Sequence, residues 1–126
     1  MTQNETRHIV EAYFAAWTSN AIGDAYALLA EELEFRGPTA SYIGAAAFRP
    51  ALVGFAAMTK GARIVELLVD GGRAAMLYEC DLPEPVGTVR IASFFRVEQG
   101  KIRWYETQFD ATELRKILPR RAPDSE

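Results

Sequence analysis

Two carboxylates and a few hydroxyls are the side chains with chemistry to offer. Glu79 and Asp81 stand two apart in a stretch of alternating apolar and polar residues, which puts both on one strand face. One acid in an apolar cavity suffices for proton transfer, because desolvation disfavours the ionised form and raises the pKa. Tyr13 shares an aromatic helix face with Phe14 and Trp17. Its oxygen is either a pocket hydroxyl or the satisfied polar tip of a core tyrosine. Ser93, between Ile91 and Phe95, reads equally as a pocket hydroxyl or as packing filler. Cys80 reads as a small buried apolar residue, and His8 lies on the polar side of the first helix. One cysteine and one histidine exclude the usual zinc clusters. No metal or cofactor is expected.

The elements that must position these residues follow from periodicity. Val10, Tyr13, Phe14 and Trp17 recur at helical spacing within Glu5–Thr18. Asn20 then caps a second helix whose apolar set is Ile22, Ala25, Leu28 and Leu29, ending near Glu32. A short extended piece, Leu33–Arg36, stops at Gly37-Pro38, and Ser41–Ile43 is a short return strand. The third helix lies in Ala45–Met58, with its main body starting at Pro50, where a missing amide costs least. Ala62–Asp70, Arg73–Leu82, Val86–Glu98 and Lys101–Phe109 read as four strands joined by short turns. Asp110 caps a last helix ended by Pro119, and residues 119–126 form a frayed, flexible tail.

Helices followed by a meander make an α+β fold, with N-terminal helices packed on a strongly curved antiparallel or mixed sheet. With 126 residues it is a single domain, over 1–118, able to bury roughly two-thirds of its unfolded surface. Its strands are apolar on both faces. Along Val86–Glu98, Ile91, Ser93, Phe95 and Val97 point one way and Arg90, Ala92, Phe94 and Arg96 the other. A sheet with one wet face alternates more cleanly, so a homodimer through the outer face is expected. Fourteen basic against seventeen acidic residues, a net charge of -3, argue against a nucleic-acid surface. No apolar run approaches the roughly 18–20 residues of a membrane span, and the N-terminus carries no signal pattern. A reduced cytoplasmic compartment is expected.

The order of elements resembles the SnoaL-like branch of the nuclear transport factor 2-like superfamily. The resemblance is carried by Tyr13-Phe14 with Trp17, Phe35-Arg36-Gly37-Pro38, Leu77-Tyr78-Glu79, Val86-Gly87-Thr88, Gly100-Lys101-Ile102 and Phe109-Asp110. It implies a cone-shaped barrel of a sheet wrapped by helices, an apolar pocket inside and frequently a homodimer. The family includes ketosteroid isomerases, limonene-epoxide hydrolases, polyketide cyclases, dehydratases and inert binding modules, so fold alone does not settle chemistry.

The resemblance also implies roles. Steroid isomerisation pairs a carboxylate base with a tyrosine and a protonated acid. These fall on Gly37, Tyr13 and a position on or near Ser93, so the base is missing. Epoxide hydrolysis in the family uses an arginine and an aspartate two apart on one strand and an aspartate on the closing strand. Here those positions hold Glu79, Asp81 and a residue near Thr107, an incomplete set. Tyr105 and Thr107 are implied inward positions, although Ile102 and Trp104 fit inward too. A bulge near Arg103 reverses the parity and puts Glu106 inside in place of Thr107. Candidate catalytic residues are therefore Tyr13, Glu79 and Asp81, and candidate ligand-binding residues are Trp17, Phe35, Ser93, Phe95, Tyr105 and Thr107. Aromatics are plentiful and polar pairs scarce, which favours a small-molecule-binding domain with an apolar pocket and weak or absent catalysis. The alternative is a cofactor-free acid–base enzyme acting on a hydrophobic or polyketide-like substrate.

Overall fold

Reciprocal hydrogen bonds fix where the first helix begins. In the computed structural model, which describes residues 2–118, α1 (Gln3–Thr18) starts after Thr2. The Thr2 hydroxyl accepts from the Glu5 amide and the Glu5 carboxylate accepts from the Thr2 amide, satisfying two donors that a helix start leaves orphaned. The stripe Val10, Tyr13, Phe14 and Trp17 is buried, as its spacing predicts. Fully buried Thr6 donates to the Gly71 carbonyl at 2.7 Å and pins α1 to the first hairpin of the meander. The expected tail over 119–126 lies outside the described residues.

The second helix is shorter than its apolar pattern predicts. α2 covers only Ile22–Tyr26, and β1 (Leu29–Arg36) begins three residues later. Leu28 and Leu29 fit a helical stripe, yet the Leu28 carbonyl accepts from the Ile102 amide and Leu29 pairs beside Ile102. Sheet pairing overrides the local period. Asn20 is not a cap: it adopts the left-handed conformation (φ 64°), and Ala21 precedes α2 without a side-chain bond. After β2 (Ser41–Ile43), α3 (Ala45–Met58) runs through Pro50 rather than starting there. Pro50 is exposed, as is Ala46, whose carbonyl lacks an amide partner and is left to water.

Four strands follow: β3 (Gly61–Asp70), β4 (Arg73–Asp81), β5 (Thr88–Glu98) and β6 (Lys101–Gln108). Gln99 and Gly100 both take positive φ, the two-residue turn that joins twisted strands tightly. α4 (Thr112–Ile117) closes the described chain, its start held by the Asp110 carboxylate, which accepts from the Thr112 amide and hydroxyl. The sheet order is β2-β1-β6-β5-β4-β3, with β1 parallel to β6 and every other pair antiparallel. The sheet is curved but open. Its end strands β2 and β3 do not pair with each other, so the expected barrel is not formed. Among the described residues no helix is long and apolar enough to cross a membrane.

A bulge settles the parity of β6. Arg96 pairs with Trp104 and Val97 with Ile102, leaving Arg103 without a partner. The extra residue lets both Ile102 and Tyr105 turn inward. The bulge does not put Glu106 inside, as expected of one here: the extra residue falls before Tyr105, so Thr107 keeps its buried place, while Trp104 turns to the outer face under the Arg96 guanidinium, 5.0 Å from its ring centroid.

Candidate functional site

Strand register assembles two rows on the inner face. Phe35, Tyr105, Phe95 and Ala74 line up across β1, β6, β5 and β4; Thr107, Ser93 and Met76 form the next row. Tyr105 stacks on Phe95 at 4.8 Å between centroids and meets Tyr13 and Phe35 edge-on at 5.4 and 5.0 Å. Aromatic pairs favour these offset and edge geometries. Facing them, α3 presents Phe48, Ala51, Leu52 and Phe55 from one side of the helix, and Phe48 stacks on Phe35 at 4.3 Å. A cavity of about 380 Å³ remains between these layers, within the usual range for small-molecule sites. The 37–40 loop and, from α4 and just beyond it, Leu114 and Leu118 also line it, and the Arg115 guanidinium donates to the Pro38 carbonyl.

The polar part of this wall is a chain of hydroxyls. Tyr78 and Ser93 lie 2.8 Å apart, oxygen to oxygen, and Ser93 and Thr107 also 2.8 Å. Tyr78 and Thr107 line the cavity, whereas Ser93 is fully buried behind them. Burial pushes the Tyr78 and Tyr13 phenols well above the ordinary tyrosine range. The Tyr13 hydroxyl is completely buried and makes no hydrogen bond of normal geometry.

The structure brings together most of the expected ligand-binding residues. Trp17, Phe35, Tyr105 and Thr107 line the cavity directly. Ser93 supports Thr107, and Phe95 and Tyr13 stand behind Tyr105 rather than at the surface of the void. Glu79 and Asp81 are elsewhere. They face away from the cavity, because Met76, Tyr78 and Cys80 take the buried positions of the alternating strand. Arg63, opposite on β3, donates to the Glu79 carboxylate at 3.0 Å and to both Asp81 oxygens at 3.1 Å. Arg90 adds a bond to Glu79, and the Thr88 hydroxyl one to Asp81.

These partners hold both carboxyls below the ordinary carboxylate range, Glu79 through Arg90 and then Arg63, Asp81 through Arg63 and then Thr88. An acid meant to donate a proton at neutral pH needs the opposite shift. A carboxyl depressed on folding stabilises the fold above its unfolded pKa, about 4, and loses that contribution as pH falls through the lower folded value. Arg63→Gln is therefore expected to lower the urea midpoint at neutral pH and to leave it near the wild-type value at about pH 2–3. Equal deficits at both pH values count against the ion-pair account.

Gly37, the position implied for a catalytic base, lines the cavity without a side chain, and adding one would force the Phe35 ring to shift. A Cβ there meets the Phe35 ring at 2.8 Å. Tyr78 is the site residue that sequence reasoning passed over. The signal was the alternation of β4, in which Met76, Tyr78 and Cys80 share the face opposite the two acids. A second, larger hollow of about 450 Å³ lies between α2, β1 and the β5–β6 turn. Its wall includes an ion-paired cluster, Arg103 with Glu32 and Glu98, and none of the candidate site residues reaches it.

This arrangement of helices on a curved sheet is shared with known proteins. The SnoaL-like domain model matches residues 10–105, and the chain belongs to that family. Among solved structures it is similar to a protein from Kribbella flavida, 25% identical over 86% of this chain and 89% of that one, with a TM-score of 0.82. A de novo designed protein with a curved β-sheet is similar at 17% identity, with 93% of each chain covered and a TM-score of 0.81. An LEH-like epoxide hydrolase from M. tuberculosis is similar at 19% identity, covering 90% and 89%, with a TM-score of 0.74. The last two likenesses are of fold. No curated protein matches the sequence significantly.

Proposed function

We propose that this chain is a small-molecule-binding domain whose cavity takes an apolar ligand and whose catalysis is weak or absent. The observation that carries this reading is the composition of the cavity wall. Among the described residues that line it there is no Asp, Glu, His, Lys or Arg. Acid–base catalysis near neutral pH calls for a group that changes protonation there, and phenols pushed above their usual range do not. The two carboxylates considered for that role are held outside by Arg63 and Arg90. Ethylnaphthalene, an uncharged aromatic probe, is expected to bind and to quench the fluorescence of Trp17. Ala51→Trp puts an indole into the void between Phe48 and Phe55 and is expected to weaken binding by at least about tenfold. Unchanged binding by the variant, or none by the wild type, overturns the proposal.

The functional unit proposed is a two-fold homodimer joined through the outer sheet face. Leu68, Ala75 and Phe94 form one row there, beside Leu77 and Ala92 in the next. Leu68 is 61% exposed and Phe94 45%. Charged residues of both signs flank this apolar centre, with Arg63, Glu79 and Arg90 at one end and Asp70, Arg73 and Arg96 at the other. A patch that carries its own complement suits pairing with a second copy, and two-fold pairing closes the assembly.

A further inference from the structure

We infer that the cavity selects a neutral ligand carrying one hydrogen-bond-accepting oxygen, of the ketone, lactone or quinone kind, and that the Tyr78–Ser93–Thr107 hydroxyl chain receives that oxygen. This inference rests on the apolar-ligand reading and goes beyond it in naming the ligand's polar group. The argument is a count of protons. Each of the three hydroxyls has one to donate, and the two hydrogen bonds between them use two. Ser93 is fully buried with no other side-chain partner among the described residues, so its own proton must lie within the chain. The chain is then directional, and the surplus proton sits at one end, on Thr107 or on Tyr78.

Both ends line the cavity, so either direction presents a donor to the ligand. Among the described residues Tyr105 makes no hydrogen bond of normal geometry to this chain, so the count rests on the three hydroxyls. An acceptor oxygen satisfies the surplus donor. A carboxylate could accept the same bond, but it would enter a wall without a cation to pair with, and burying an unpaired charge is costly. A hydrocarbon leaves the donor unmet.

Three probes of one ring system separate these cases: ethylnaphthalene, acetonaphthone and naphthoate, titrated calorimetrically into the wild type, the double variant Tyr78→Phe/Thr107→Val and Ser93→Ala. The ketone is expected to bind about tenfold more tightly than the hydrocarbon, and the carboxylate at least about a hundredfold more weakly than the ketone. The double variant, which keeps the shape of both lining ends and removes their hydroxyls, is expected to erase most of the ketone's advantage, whereas Ser93→Ala, which frees both ends to donate, is expected to keep it. Unchanged hydrocarbon affinity in both variants shows that the cavity is intact. A ketone that binds no better than the hydrocarbon, keeps its advantage in the double variant, or loses it in Ser93→Ala overturns the inference and leaves the apolar pocket standing. Naphthoate binding as tightly as the ketone also overturns it. Failure of hydrocarbon and ketone alike overturns both the inference and the reading beneath it.

Discussion

Tyr105→Ala is expected to cost about 3–5 kcal/mol of folding stability, the scale of losing a large buried aromatic. The ring is 5% exposed and touches four others from four elements: Tyr13 of α1, Phe35 of β1, Phe48 of α3 and Phe95 of β5. Deleting it removes transfer free energy and also the one group that joins these layers. The void it leaves opens directly into the existing cavity, so neighbours have no backing against which to collapse. Tyr105→Phe keeps every ring contact and removes only the oxygen, for a change of about 1 kcal/mol or less. Urea unfolding of the two variants checks the difference. Comparable losses would mean that the hydroxyl, not the ring, is what matters at this position.

What was legible in the sequence depended on whether one period governed a segment. The α1 stripe could be read because a helix pays no attention to its sheet neighbours in choosing which face to bury, and the 3.6-residue period survives intact. β5 could be read for the same reason: eleven residues of unbroken alternation put Ser93 and Phe95 on one face and Phe94 on the other. Leu28 and Leu29 could not, because a helix stripe and a strand start share those spacings and only the distant Ile102 decides between them. The parity of β6 depended on a single unpaired residue, Arg103, whose bulge is a feature of the pairing and not of the local sequence. Glu79 and Asp81 share a face, as their spacing demands. Which face was decided by Met76, Tyr78 and Cys80 between and before them, three less polar side chains that claimed the interior.

The same alternation explains why the polar lining is hydroxyl and not carboxylate. Inner-face positions of β4, β5 and β6 are buried, and an unpaired carboxylate is strongly disfavoured there. Tyr78, Ser93 and Thr107 can bond to one another across adjacent strands because each hydroxyl both donates and accepts. Charged residues gather on the opposite face, in cross-strand pairs such as Arg63 with Glu79. The hydroxyl lining and the charged pairs are thereby separated by the thickness of one sheet.

Phe94→Glu is expected to convert the proposed dimer to monomers while leaving the fold intact. Phe94 points outward from the middle of β5 and makes none of the buried-core contacts, so its replacement does not disturb the interior. It stands beside Ala75 on β4 and Glu106 on β6, within the apolar patch that the dimer covers. A stable interface of standard size buries about 800 Å² on each partner, enough to take in that patch and its charged rim. A two-fold contact brings every substitution in twice. Two carboxylates would be desolvated among Leu68, Ala75 and Leu77, at a cost of several kcal/mol for each ion left unpaired. The dissociation constant is expected to rise by at least about three orders of magnitude. Light scattering at micromolar concentration should report twice the 14.0 kDa chain mass for the wild type and the single-chain mass for Phe94→Glu, with matching circular dichroism. A wild-type mass of one chain would dispose of the dimer, and a variant that stays dimeric would move the interface off this face.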